Sequence, residues 1–145
     1  MADCAEYIHH CLYFTANSLA RVVTRMAERA FRVTGLSPSH AFLVMLVNES
    51  PGITQKALAG HLHLAPSTVT RFVDTLAHRG IVARQTDGKA TRVYPTDKAG
   101  ELAEPIAAAW KNLYHQYSEI LGEAQGERLT GQIDGAAAAL EARGE

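Results

Sequence analysis

The sequence predicts a mainly α-helical chain with one small β-hairpin: a winged helix-turn-helix set between long N- and C-terminal helices. Three observations predict it. A short helical stretch, "TQKALAGHL", leads through "HLHLA" into a second, "PSTVTRFVDTLAHR", which is the spacing of a helix-turn-helix. Two β-rich runs, "IVARQ" and "ATRVYP", follow at once and flank "TDGK", where Asp87-Gly88 signals a hairpin turn. The segments on either side have helical periodicity and carry more apolar surface than so small a domain can cover.

From about Asp3 to Val33, Ile8, Leu12, Leu19, Val22, Val23, Met26 and Ala30 recur at three and four with no Gly or Pro between them, which predicts one long amphipathic helix ended by Thr34-Gly35. "LSPSHAFLVMLVNES" starts a second helix, with Ser37 as N-cap and Pro38 at the first helical position; its nearly continuous apolar run makes it central. Ser50-Pro51-Gly52 is a turn, and Thr54 caps the third, short helix. In the fourth helix, opened by Pro66, the residues Val69, Phe72, Val73 and Leu76 form a buried stripe, leaving Ser67, Thr68, Thr70, Arg71, Asp74 and Thr75 on the other side.

Gly80 stops that helix, and the two β-rich runs form a two-stranded hairpin, the wing. Thr96 or Asp97 caps a long fifth helix reaching about Leu121, apolar along Leu102, Ile106, Ala109, Trp110, Leu113 and Tyr117; Pro105 inside it should bend it or delay its start. The last helix, about Gln125 to Ala142, is Ala-rich and weakly patterned, and Gly131 and Gly135 weaken it further. The uncovered apolar faces of the terminal helices predict a second copy of the chain, a homodimer.

At 145 residues the chain is expected to form a single domain, residues 1–145, in which 1–34 and 97–145 are dimerisation helices and 37–96 the winged helix-turn-helix. The net charge of −1 is unevenly spread: residues 53–98 carry seven Lys/Arg against three acids, and residues 99–145 carry three against eight. A basic middle third points to a polyanion partner. No apolar run approaches the roughly 18 to 20 residues that span a bilayer, and "MADCAEYIHH" has no signal-peptide pattern, so no membrane partner and a cytoplasmic location are expected. Cys4 and Cys11, seven apart on one helix and about 10.5 Å along its axis, are too distant to pair.

Seven histidines and fifteen acids show no recognisable nucleophile, base and orienter motif and no Gly-rich phosphate loop. The chain is therefore not expected to be an enzyme, and no cofactor is implied. No metal site is expected either. H-x-x-x-H and C-x-x-C spacings are absent, and His9 and His10, adjacent on a helix, point about 100° apart.

The run "ITQKALAGHLHLAPSTVTRFVDTLAHRGIVAR", above all "STVTRFVDTL" followed by "RGIV", resembles the two-helix DNA-reading unit of the MarR (multiple antibiotic resistance regulator) family of winged-helix transcriptional regulators, and the resemblance extends over nearly the whole chain. "TDGKATRVYPTDKAG" is similar to that family's wing, in which an Asp-x-Arg pair precedes five residues and then Leu-Thr. Asp87 and Thr96 match, while Lys89 and Pro95 stand where Arg and Leu are usual. Lysine lacks the planar fork of guanidinium, which weakens shape-selective wing contacts.

The resemblance implies a homodimer with two recognition helices about 34 Å apart on double-stranded DNA, at a pseudo-palindromic operator. It places Ser67, Thr68, Thr70 and Arg71 in the major groove, with Arg71 suited to a bidentate guanine contact. Thr54, Gln55 and Lys56 would hold phosphates, Lys89 and Arg92 would make wing contacts, and Arg84 would meet the backbone. The plain alternative is that Arg71 pairs with Asp74 or Thr75 on the helix surface.

The resemblance also implies a small-molecule effector pocket between the first helix, the start of the second and the fifth, with His10, Cys11, His40, Trp110 and Tyr114 as candidates. "CLYF" loosely resembles the neighbourhood of the peroxide-reactive cysteine of some members; Cys11 is otherwise a small buried hydrophobe. The implied function is a repressor released by a ligand or an oxidative signal. The rival readings are a winged-helix protein-interaction module without specific DNA binding and a Cys11-based thiol redox protein.

Overall fold

The computed structural model describes residues 3–144. The element order is α1 (Cys4–His9), α2 (Leu12–Phe31), a 3-10 turn (Arg32–Thr34), α3 (Pro38–Glu49), β1 (Ile53–Thr54), α4 (Gln55–Leu62), α5 (Pro66–His78), β2 (Val82–Asp87), β3 (Ala90–Pro95), α6 (Asp97–Leu121) and α7 (Glu123–Arg143). The expected fold class, a mainly helical winged helix-turn-helix flanked by long helices, is the one observed. The chain divides into two compact units, Met1–Ala109 and Trp110–Glu145, and α6 supplies residues to both.

The single long first helix expected from periodicity is two helices. Cys11 adopts an extended conformation, φ −94° and ψ 122°, and serves as the N-cap position of α2, while His10 ends α1. His9, His10 and Cys11 are all weak helix formers, and α1 buries no residue, so no packing holds the chain straight through them. Farther on, α2 buries Ala27, Ala30 and Phe31, and Gly35 at φ 72° ends the 3-10 turn.

The core forms around α3. Ser37 Oγ accepts from the His40 amide at 3.2 Å, Pro38 occupies the first helical turn, and Ala41, Leu43, Val44 and Val47 are buried. Phe31, Leu58, Val69, Val73, Leu76, Val93 and Ile106 are fully buried as well. Burying each of the Val, Leu, Ile and Phe side chains among them stabilises the unit by roughly 1.5–3 kcal/mol. The side-chain amide of Asn48 on α3 donates to the Ala99 carbonyl at 2.9 Å, tying the central helix to the start of α6. That helix begins at Asp97 and runs through Pro105 without a break, so the proline does not delay its start.

The wing is a three-stranded antiparallel sheet in the order β1-β3-β2 rather than a two-stranded hairpin. The added strand is only Ile53–Thr54, paired with Val93 and Arg92. It is fastened from outside its own sequence: the Gly52 amide donates to the Val93 carbonyl at 2.8 Å, and Arg92 Nη1 donates to the Gly52 carbonyl at 3.0 Å. The hairpin turn falls on Gly88-Lys89, one residue beyond the expected pair, because Asp87 pairs with Ala90. Positive φ at Gly88 alone, 62°, meets the requirement of a type II′ turn, whose first central residue is glycine.

Candidate nucleic-acid interface

The two helices that build the interface are set by local signals. Thr54 Oγ1 accepts from the Ala57 amide at 3.1 Å and starts α4; Pro66 starts α5. Between them His63 adopts a left-handed conformation, φ 55° and ψ 43°, with its amide donating to the Ala59 carbonyl. This is the only non-glycine residue at positive φ among the described residues, at a position where a glycine costs least. The sequence reading did not identify it.

On α5 the buried stripe is Val69, Val73 and Leu76, with Phe72 partly buried. Ser67, Thr70, Arg71, Asp74 and Thr75 are exposed as expected, whereas Thr68 is half-buried and lies at the border of the exposed face. The Arg71 side chain pairs with neither Asp74 nor the Thr75 hydroxyl, and is exposed to solvent. Asp74 pairs with Arg84 on β2, and Thr75 Oγ1 donates to the Arg71 carbonyl at 3.0 Å, so the Arg71 guanidinium has no ion-pair partner among the described residues.

Arg84 and Arg92 are used inside the molecule. Arg84 ties the wing to α5 through Asp74; Arg92 Nε donates to Asp87 Oδ2 at 3.0 Å while its Nη1 reaches the Gly52 carbonyl. The Arg92 guanidinium thus fastens β1, the wing tip and β3 together, which nothing in the sequence spacing announced. Asp74, Asp87 and Gly52 are structural supports of the wing that the sequence reading missed for the same reason.

Lys56 and Lys89 are the cations these pairs leave open. Together with Thr54, Gln55, Ala90 and Thr91 they line an open cleft of about 340 Å³ between the start of α4 and the wing tip. Of the first amides of α4, that of Ala57 is held by Thr54 Oγ1, while those of Gln55 and Lys56 have no acceptor within the helix. Charge, free N–H groups and a concave shape therefore converge where an anion can be held, and Gln55 Nε2 donates to Thr70 Oγ1 at 3.2 Å, joining this cleft to the exposed face of α5.

The effector candidates are placed less specifically. His10 and Cys11 are exposed at the break between α1 and α2, so the reading of Cys11 as a small buried hydrophobe is corrected: the break carries it out of any packed face. His10 Nδ1 lies 2.9 Å from the Glu6 carbonyl. His40 is partly buried with its ring edge-to-face against Phe72 of α5 at 4.4 Å, and burial, with the Arg79 charge second, lowers its pKa from the ordinary 6.5.

In the second unit Trp110 and Tyr114 stack at 5.7 Å with 13° between their rings. The Tyr114 hydroxyl donates to Glu127 Oε1 at 3.0 Å. That bond, followed by desolvation and the charges of Glu127 and Glu123, raises its pKa. An open concavity of about 430 Å³ lies beside it, lined by Tyr114, His115, Ser118, Glu119 and Glu123. No group of three or more His, Cys, Asp or Glu residues is arranged to hold a metal ion among the described residues.

No single described helix is long and apolar enough to cross a membrane, and the one pair that passes jointly by length and composition, Leu12–Thr34 with Pro38–Glu49, is bent by 58°.

Residues 36–93 match the family model described as "MarR family", a span from α3 into β3 that holds the candidate interface residues Thr54 to Arg92. No curated protein matches the chain at the level of sequence. Among solved structures the chain is similar to CouR from Rhodococcus jostii RHA1 bound to p-coumaroyl-CoA, at 21% identity over 90% of this chain and 94% of that one, with a TM-score of 0.76. It is also similar to the M. tuberculosis transcriptional regulator MosR in complex with DNA, at 21% identity over 90% and 98% of the two chains, TM-score 0.75. The transcriptional repressor CouR bound to a 23-mer DNA duplex matches at 18% identity over 94% and 99%, TM-score 0.81. At these identities the likeness establishes the fold.

Proposed function

We propose that the chain is a DNA-binding transcriptional regulator of the MarR type, acting as a homodimer on a pseudo-palindromic operator and repressing until a small ligand or an oxidant releases it. The observation that carries the reading is the exposed Ser67–Thr70–Arg71 face of α5, with an unpaired guanidinium, next to a cleft holding Lys56 and Lys89. Arg71 presents the forked donors that match guanine O6 and N7, and the cleft suits a phosphate. Arg84 and Arg92 keep the wing at its angle to α5, so their contribution to DNA binding is chiefly to position Lys89. Residues 37–96 form the DNA-binding part in this reading, and 1–34 with 97–145 the dimerisation helices.

The dimer is supported by apolar side chains left in solvent on the terminal helices, among them Leu12, Leu19, Val22, Ile133 and Leu140. A symmetric pair sets its two recognition helices about one DNA turn, roughly 34 Å, apart. An effector that favours a different separation weakens DNA binding, and DNA weakens effector binding in equal measure. CouR binds p-coumaroyl-CoA; a small organic effector is proposed here by analogy of fold, with the Trp110–Tyr114 stack as the surface able to take a planar group. The exposure of Cys11 favours an oxidative signal as a second input. A function on DNA supports a cytoplasmic location.

The test is binding to genomic DNA fragments, including the promoter upstream of its own reading frame, at 50 and 200 mM salt. The expected result is selective binding that falls steeply with salt, loses sequence preference in Arg71→Ala, and has its salt slope reduced by about one for each of Lys56→Ala and Lys89→Ala. Binding indifferent to sequence and to Arg71 would move the function to a protein partner.

A further inference from the structure

Of the side chains on the exposed face of α5, Thr70 is the one whose hydroxyl is occupied on both sides. Its Oγ1 donates to the Pro66 carbonyl at 3.1 Å and accepts from Gln55 Nε2 at 3.2 Å. A hydroxyl has a single proton, and a carbonyl can only accept, so the proton belongs to Pro66. The group facing the other side of Oγ1 must then be a donor, which fixes the Gln55 amide with its NH2 rather than its oxygen toward Thr70. The two bonds also turn Oγ1 back toward the first turn of α5 and toward α4. Thr70 is nevertheless exposed, and beside the one remaining lone pair of Oγ1 the group it can offer a partner is its Cγ2 methyl.

Neighbouring hydroxyls differ. Ser67 makes no side-chain hydrogen bond among the described residues, and Thr75 Oγ1 has only its bond to the Arg71 carbonyl. Ser67 can therefore rotate to suit either a donor or an acceptor on a base edge, while Thr70 cannot donate at all without breaking a bond already made.

We infer that Thr70 determines operator specificity through its methyl group, by contact with the C5 methyl of a thymine, and that Gln55 is a positioning residue that holds the Thr70 hydroxyl inward. The major-groove edge of thymine is the only one of the four standard bases to carry a methyl, so an apolar contact there is sequence information without a hydrogen bond. Gln55 moves in this assignment from a phosphate ligand to a brace between α4 and α5. The inference rests on the proposed entry of α5 into the major groove.

The experiment begins with the wild-type chain and duplexes selected from a randomised library. Each thymine of the selected site is replaced in turn by deoxyuridine, which removes only the methyl, and binding is measured for wild type, Thr70→Val, Thr70→Ser and Gln55→Ala. Wild type should lose about fourfold per half-site at one symmetric pair of positions, the value of one buried methyl. Thr70→Val, which keeps a methyl and lacks the hydroxyl, should retain that discrimination with weaker binding to every sequence. Thr70→Ser should bind thymine and deoxyuridine alike at that position, and Gln55→Ala should blunt the discrimination without abolishing it.

Indifference of wild type to deoxyuridine at every position, or loss of discrimination in Thr70→Val but not in Thr70→Ser, overturns the inference while leaving a DNA-binding regulator in place. Failure of wild type to select any duplex overturns the DNA reading itself, and this inference with it.

Discussion

Helices α5 and α7 differ in what their sequences leave for other parts of the molecule to cover. In 13 residues α5 buries Val69, Val73 and Leu76 within its own unit and exposes a polar face. In 21 residues α7 buries only Gly126, while Ile133 and Leu140 are 48% and 62% exposed. A helix of that length with interior glycines gains little from intrinsic propensity. The difference shows that α5 buries its apolar stripe within one chain, whereas α7 leaves large apolar side chains exposed. The upstream half of α2 repeats the lesson, since Leu12, Leu19 and Val22 are exposed while Ala27, Ala30 and Phe31 farther along the same helix are buried.

The largest effect belongs to α5. Leu76→Ala removes a fully buried side chain of α5 and should cost about 3 kcal/mol in denaturant unfolding, at every protein concentration. Replacing Ile133 or Leu140 by Asp should instead cost about 2 kcal/mol of association per site, seen as a concentration-dependent shift to monomer in sedimentation, with the unfolding of the winged part unchanged. An equal, concentration-independent loss for both sets would erase the distinction between the regions.

His63→Gly should stabilise the helix-turn-helix by about 1 kcal/mol in thermal unfolding, since glycine adopts the left-handed turn without the Cβ penalty. No gain would mean that His63 is held there by contacts that offset its strain.

The pH dependence has a definite sign. Burial, and secondarily Arg79, lowers the His40 pKa below 6.5 in the folded state, so the unfolded chain binds more protons as pH falls from about 6.5 toward that lowered value. The contribution is fully present above 6.5 and is lost as pH falls through the folded pKa. His40→Gln should flatten the stability profile in that window, and α5, which His40 contacts through Phe72, makes DNA affinity a second readout. The smallest effect is expected from Asp74→Asn. Arg84 and Asp74 are each about half exposed, so solvent screening limits the pair to about 0.5 kcal/mol in unfolding, while the wing angle makes DNA affinity the more sensitive probe.

The sequence by itself determined the elements whose signals are local. Ser37, Pro38 and Thr54 mark helix starts, Gly35 and Gly80 mark ends, and the stripe Val69-Val73-Leu76 names the buried face of α5, because capping and periodicity act within a few residues. The exposed Ser67, Thr70 and Arg71 followed from the same periodicity.

Only the tertiary structure decided the rest. The break at Cys11 arises where α1 buries no residue, so weak propensity goes uncorrected. Strand β1 exists because Val93 and Arg92, some forty residues away, bind the backbone at Gly52 and Ile53. Which cations are free was equally illegible: Arg71, Arg84 and Arg92 read alike along the chain, but Asp74 and Asp87 hold the latter two. The occupied hydroxyl of Thr70 depends on Gln55, on another helix. Partners distant in the chain carry no spacing to read, because folding alone brings them within a bond length.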